Sequence, residues 1–368
     1  NDWMTGLIPA MARRIGIPSL FTLHNIHSVK ILLEQIEETG IDTSEFWQHL
    51  YYESAPSSYE QSRSSNPIDM LTSGIFASHW VNTVSPSFLD EITQSQHAWI
   101  PGQICEELHN KQAAGFASGI TNAPDPSYSP STDEALAQPF SAQTSAEGKL
   151  INKRLFQKKM GLRPDDDAPL LFWPSRLDPV QKGPEILSDI LAELIAKYSK
   201  HGMQIAFVAD GSHGHHIKDI ISMANLEGLV SIKAFDENLS RLGYAASDCM
   251  LMPSKFEPCG LTQMIALKYG SLPIVHRTGG LKDTIEHLNT VNSQGNGFVF
   301  EDYDSQALNW AIQCAMDFYQ LPPELKQRER ERVMHEANSR FTHQKTASQY
   351  INLYEEMLGK PLHSEESP

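Results

Sequence analysis

The stretch PSKFEPCGLTQMIALKYGSLPIVHRTGGLKDT, residues 253–284, decides the fold. Just before it, the apolar run 249–252 reads as a strand that must stop at Pro253, which has no N–H to give a sheet. A turn carrying one carboxylate, Glu257, and one thiol, Cys259, then opens at Gly260 into a helix. Leu261, Met264 and Ile265 in that helix have the i, i+3, i+4 spacing of a buried face. The plan repeats, with a strand at 272–275, the pair Gly279-Gly280 and a second helix beginning at Leu281. Each helix starts just past the carboxyl end of a strand, where unpaired backbone N–H groups and a positive dipole end can receive an anion. The stretch therefore predicts a phosphate site built twice.

Around it, residues 169–300 alternate apolar strands with amphipathic helices. Strands are expected at 170–174, 203–209, 230–235, 249–252, 272–275 and 297–300. This is the pattern of an α/β fold with a doubly wound parallel sheet, which binds its ligand past the carboxyl ends of the strands at the topological switch point. Arg176 and Lys182 follow the first of these strands, Phe235 ends the third, and Glu257 follows the fourth. A chain of 368 residues with 40% hydrophobic residues is long enough for two domains, each with a core. A net charge of −16 argues against a nucleic-acid partner or an acidic membrane surface. Four cysteines without CxxC spacing fit a reducing, cytoplasmic setting better than a disulfide scaffold. No apolar run is long enough for a membrane-spanning helix.

Glu257-Pro258-Cys259-Gly260-Leu261-Thr262-Gln263, followed by Arg277-Thr278-Gly279-Gly280-Leu281, resembles the nucleotide-sugar signature of the bacterial glycogen synthase and plant starch synthase family. The likeness extends over most of the chain. Asp2-Trp3, with Gly6-Leu7 and Pro9, is similar to a family turn in which Asn1 here replaces a histidine, and Phe21-Thr22-Leu23-His24-Asn25 and Thr83-Val84-Ser85-Pro86 are similar to further family segments. Gly119 to Asp125 resembles another turn, with Ala123 where the family has glycine, so a positive φ there would be strained. The resemblance implies a GT-B fold: two Rossmann-like, doubly wound domains with the active site in the cleft between them. Residues 1–142 would be the later part of the acceptor-side domain and 147–340 the nucleotide-sugar domain. Residues 341–368 would be a terminal helix returning to the first domain, with a frayed polar tail.

The implied reaction moves glucose from ADP-glucose to the non-reducing end of an α-1,4-glucan such as glycogen, with retention of configuration. The donor is a substrate, and neither a further cofactor nor a metal is expected. By the same resemblance Glu257 orients the transferred glucose, His24 faces the donor sugar and Asp2 lies near the acceptor. Arg176 and Lys182 neutralise the pyrophosphate; their separation is one residue longer than the commonest family form. Cys259, Gly260, Leu261 and Thr262 line the donor loop, Thr278, Gly279 and Gly280 offer N–H groups to the distal phosphate, and Phe235 meets the base or simply packs in the core.

Other segments carry their own expectations. A helix is expected at 29–39, a mobile polar loop at 57–66, a strand region at 76–84, an interdomain linker at 128–142 and a solvated charged helix face over 324–332. The aromatics at 46–52 suit a core and could also stack on glucose rings. Asp302-Tyr303-Asp304, Asp165-Asp166-Asp167 and the group His213, His215 and His216 have metal-like spacing but the wrong surroundings. Asn1 is no initiator, so the chain is expected to begin inside a domain. About 100 residues, including a Lys-x-Gly-Gly-Leu loop, would precede it. Lacking them, it is expected to bind ADP weakly, aggregate and transfer no glucose. Two rivals stay open: another retaining GT-B transferase of the sucrose or trehalose-phosphate synthase kind, and a non-catalytic α-glucan-binding protein.

Overall fold

The computed structural model describes residues 1–362 and divides the chain into two compact units, one of Asn1–Thr121 with the chain from Thr346 onward, the other of Asn122–Lys345. The tail expected to fray lies, past residue 362, outside the described residues.

In the first unit, β1 (Leu20–Leu23), β2 (Trp80–Thr83) and β3 (Ala117–Gly119) form a parallel sheet in that order, with Phe21 opposite Val81 and Thr83 opposite Gly119. Helices α1 (Met70–Ala77), α2 (Pro86–Thr93) and α3 (Gly102–Ala113) bury Ile75, Phe88, Ile92, Ile104 and Leu108 in one core with Phe21, Leu23 and Val81. Their starts are set by side chains: Asp69 accepts from the Thr72 N–H at 2.8 Å, and Ser85 from the Phe88 N–H at 2.9 Å. The helix His343–Leu358 supplies Leu353 to a small cluster with Trp80 and Ile120, and its Tyr350 hydroxyl accepts from Asn82 at 3.0 Å.

Three local expectations fail here, and one is met. Instead of one helix at 29–39, Lys30–Ile31 pairs antiparallel with Ile68–Asp69, and only Leu33–Glu37 is helical. The β-branched Val29 and Ile31 precede the helix, and a sheet partner at 68–69 outcompetes local propensity. The polar loop at 57–66 holds a helix, Tyr59–Ser65, capped by Ser58 and pinned by Arg63 to Glu37 at 2.5 Å. The strand expected over 76–84 begins only at Trp80, because α1 continues through Ala77. Phe46, Leu50 and Tyr52 are buried in a core cluster, and the aromatic passage serves packing there.

The second unit is a six-stranded, all-parallel sheet of β4 (Leu170–Trp173), β5 (Gln204–Val208), β6 (Val230–Lys233), β7 (Cys249–Met252), β8 (Leu272–His276) and β9 (Phe298–Phe300). Its order is β9-β8-β7-β4-β5-β6, so the chain reverses direction of travel across the sheet between β4 and β7. These strands are apolar because helices cover both faces. Besides a short helix at Leu191–Lys197, the helices are α4 (Ser145–Met160), α5 (Pro184–Ser188), α6 (Gly214–Met223), α7 (Glu237–Ala246), α8 (Thr262–Lys268), α9 (Gly279–Thr284), α10 (Ser305–Tyr319) and α11 (Pro323–Arg340).

The segment expected as a linker instead packs into this unit. Leu136, Phe140 and Ala142 are buried, and Asp133 accepts from Arg241 and from the Tyr269 hydroxyl. Tyr128 lies under the Arg241 guanidinium, 3.9 Å from ring centroid to Cζ. Serines, prolines and aspartates can thus mark an ordered strap when their polar groups find fixed partners. Ala123 has no positive φ, so its difference from glycine costs the backbone nothing. In the charge run, Glu329 is buried and holds Arg328, Arg332 and Ser293, so that face of α11 is not solvated throughout. Among the described residues no helix is long and apolar enough to cross a membrane.

Candidate active site

Two loops leave the sheet at its switch point, one after β4 and one after β7, and the structure joins them by a buried ion pair. Lys182 Nζ lies 2.6 Å from Glu257 Oε2, with both side chains largely shielded from solvent. The Ser254 hydroxyl donates to the same carboxylate oxygen at 3.1 Å. The loops are also stitched through the backbone, where the Lys255 N–H donates to the Gln181 carbonyl at 2.8 Å. Gly183 makes this approach possible. It has φ +72°, and a Cβ there would lie 2.2 Å from the Pro253 carbonyl oxygen. Arg176 is exposed and reaches Gln181 at 3.2 Å, so its charge is presented to solvent at the same edge.

The second half of the motif serves this arrangement differently from expectation. The Gly280 N–H donates to the Glu257 carbonyl at 2.9 Å, and the Thr278 N–H to the His276 carbonyl at 3.0 Å. Two of the three N–H groups assigned to a distal phosphate are therefore already satisfied within the protein. A Cβ on Gly280 would sit 1.9 Å from the Cys259 carbonyl oxygen. The glycine pair lets α9 press its first turn onto the Glu257 loop, and its physical service is close approach. His276 Nδ1 donates to the Ser254 carbonyl at 2.9 Å and fixes the same loop from beneath.

Burial pushes the Cys259 thiol up to about 12, against the smaller opposing effect of the Asn122 N–H, so it is a neutral packing group and no nucleophile. Leu261, expected on the buried face, is 40% exposed at the start of α8, because the helix begins one residue later at Thr262. Gly260 has φ +68°, the left-handed turn that lets the chain enter α8. Phe235, past the end of β6, is 52% exposed, so core packing does not account for it; its N–H donates to Asp210 at 3.3 Å.

The remaining pair lies in the first unit. Asp2 Oδ1 accepts from the His24 N–H at 2.8 Å and from the Asn25 N–H at 3.4 Å, while the Asp2 N–H donates to Thr22 at 2.9 Å. Asp2 has φ 54° with ψ −179°, a strained backbone for any residue but glycine that the Asp2 contacts to Thr22, His24 and Asn25 hold in place, and its carboxylate closes the end of β1 under an exposed His24.

One member of each metal-like group is engaged within the protein: His213 bonds Ser188 at 2.9 Å, Asp304 accepts from the Ala307 N–H at 2.8 Å, and Asp166 faces Arg154. No group of three or more His, Cys, Asp or Glu side chains converges among the described residues. Ser254 is the neighbour of Glu257 that sequence reasoning passed over. Its place three residues before Glu257 in a tight turn was the available signal.

Comparison with known proteins gives this geometry its setting. The starch synthase catalytic domain profile matches residues 1–106, and that of group 1 glycosyl transferases matches residues 156–332. A glycogen synthase of Rhodospirillum rubrum is 35% identical over 99% of this chain and 71% of its own length. One of Exiguobacterium sibiricum is 32% identical over 96% and 71%. The catalytic domain of starch synthase IV from Arabidopsis thaliana, solved bound to ADP and acarbose, superposes with a TM-score of 0.80 at 28% identity, covering 98% of this chain and 72% of that one. A sucrose-phosphate synthase from Thermosynechococcus elongatus reaches 0.58 at 17% identity over 98% and 73%, a likeness of fold alone. With relatives at this identity over nearly its whole length, the chain belongs to the glycogen synthase and starch synthase family, hexosyltransferases of the GT-B fold.

Proposed function

We propose that the chain transfers glucose from ADP-glucose to the 4-hydroxyl at the non-reducing end of an α-1,4-glucan, with retention of configuration and without a metal. The observation that carries this reading is the buried Lys182–Glu257 pair at the switch point of the parallel sheet. Breaking the glucose–phosphate bond leaves charge on the nucleoside diphosphate, and Lys182 and Arg176 neutralise it. Glu257 is held by Lys182 and Ser254, and its carboxylate orients the glucose hydroxyls and favours positive character at the anomeric carbon. The acceptor hydroxyl attacks on the face the phosphate leaves. Its proton passes to the departing phosphate oxygen as the new C1–O bond forms and the old one breaks. Phe235 stacks on the base, and Gly260, Leu261 and Thr262 border the donor. Thr278, Gly279 and Gly280 keep the second loop against the first, and Cys259 packs beneath. His24 faces the donor sugar and Asp2 holds the backbone that carries it.

The choice of ADP is supported by the starch synthase neighbour, whose structure contains ADP. The test is transfer of labelled glucose to glycogen from ADP-glucose and from UDP-glucose, with EDTA present. Incorporation from ADP-glucose that survives EDTA is expected. Transfer only from UDP-glucose, or only with added divalent metal, would overturn the donor or the metal-free mechanism respectively.

A further inference from the structure

Trp310, on α10, is 53% exposed although Leu308, Ala311 and Ile312 beside it are buried. It is not loose. Its ring stacks on His287 with centroids 5.4 Å apart and planes 22° apart. His287 is fixed in turn, because the Val299 N–H donates to its Nδ1 at 3.2 Å and Phe298 meets it edge-on at 6.1 Å. Two aromatic rings are thus locked into a platform beside a depression of about 400 Å³. The rim of that depression carries Arg277, Lys282, Glu286 and Glu301, with Arg277 Nη1 2.8 Å from Glu301 Oε1.

The charges on this rim balance, two cations against two carboxylates. An anion would meet Glu286 and Glu301, a cation would meet Arg277 and Lys282, and an apolar segment would have to desolvate all four. A neutral ligand dense in hydroxyls meets none of these costs. It can set the C–H face of a ring on the indole and exchange hydrogen bonds with both signs of charge at the rim. Because the platform is ordered beforehand, little side-chain entropy is lost when the ligand settles.

We propose that the Trp310–His287 platform is a second saccharide-binding site, which takes one face of an α-1,4-linked glucose chain at a depression whose lining includes neither Lys182 nor Glu257. This rests on the reading that the acceptor is an α-1,4-glucan. Its role is to hold a polymer on the protein by added contacts, raising the local concentration of chain ends.

The test is affinity electrophoresis of the chain in native gels containing graded glycogen, comparing wild type with Trp310→Ala and Trp310→Phe, alongside calorimetry with ADP and sedimentation without glycogen. The expected result is that Trp310→Ala weakens the apparent glycogen affinity roughly tenfold, a loss of about 1.4 kcal/mol. Trp310→Phe should restore most of it, with ADP binding and melting temperature unchanged. Equal retardation of wild type and Trp310→Ala, or a wild type that glycogen does not retard, overturns the proposal. A change in sedimentation on Trp310→Ala would also overturn it, in favour of a protein interface. Trp310-dependent retardation in a protein that never transfers glucose from ADP-glucose would bring down the proposed reaction and leave this site standing. Transfer without Trp310-dependent retardation would do the reverse.

Discussion

The sheet of the second unit carries a buried cluster of charge at each edge, and the two clusters are built on opposite principles. At the amino edge, Lys149 Nζ donates to the carbonyls of Tyr244, Ala245 and Tyr269, which lie at the ends of α7 and α8. Its three donors are all used by the protein, and they close helix ends that would otherwise be orphaned. Lys153 and Arg330 share Asp248, whose other oxygen contact is the Leu170 N–H at the start of β4. Burial, with the Arg330 charge second, pulls the Lys149 ammonium down, and its own donors leave nothing for a ligand to satisfy. At the carboxyl edge, Lys182 has one protein acceptor, Glu257, and Glu257 is held by two donors that leave its other oxygen available. Saturated charge is architecture; charge with spare hydrogen-bonding capacity is a site.

The comparison breaks first if Glu257 proves dispensable. Glu257→Ala is expected to lower kcat roughly 100- to 1000-fold with ADP affinity little changed, since its contacts strengthen as charge develops. Steady-state kinetics with ADP-glucose and glycogen decide this, and a wild-type kcat would remove Glu257 from the site. Lys182→Ala and Arg176→Ala should each lose about 3 kcal/mol of transition-state stabilisation, read as kcat/KM. Unchanged values for both would end the pyrophosphate assignment.

The amino edge should answer in the other currency. Lys149→Met leaves three buried carbonyls without a donor and is expected to lower the unfolding free energy by roughly 2–4 kcal/mol, while kcat per folded molecule stays near wild type. Urea denaturation alongside kinetics separates the two, and a stable but inactive variant would contradict the division of labour.

A pH measurement sharpens the picture of the loop itself. With the Cys259 thiol raised to about 12 in the folded protein and near 8.5 when unfolded, the unfolded chain gives up this proton first as pH rises. Stability is therefore full below about pH 8.5 and declines toward pH 12, by at most about 1.4 kcal/mol per pH unit from this group. Cys259→Ala should flatten that decline between pH 9 and 11 and leave transfer intact at pH 7. An unaltered slope would mean the thiol is not sealed. The smallest effect belongs to Phe235→Ala, expected to weaken donor binding by about 1 kcal/mol with kcat retained. No change in donor KM would leave this exposed ring without a part in binding.

Much of this was legible in the chain. The continuous apolar runs between amphipathic helices foretold all six strands of the second unit within a residue or two, because a sheet buried on both faces demands continuous apolar segments. Glu257 and Lys182 could be singled out because the resemblance of their loops to a family signature fell on turns just past such strands. The failures share one cause. Residues 29–39, 57–66 and 128–142 have weak local preferences, so their conformation was decided by partners remote in sequence: Ile68, Glu37, and the Arg241–Tyr269 pair around Asp133.

By itself, then, the sequence determined the layers, the parallel order of alternation and the edge of the sheet where chemistry belongs, since these follow from periodicity and from where strands must end. Only the tertiary structure decided that Lys182 meets Glu257, that Gly280 spends its N–H on the Glu257 loop, and that Glu329 and Lys149 are buried while Trp310 is not. Those facts depend on which residues from distant segments arrive within a few ångströms of one another. No local pattern encodes that distance; it is set when whole faces pack.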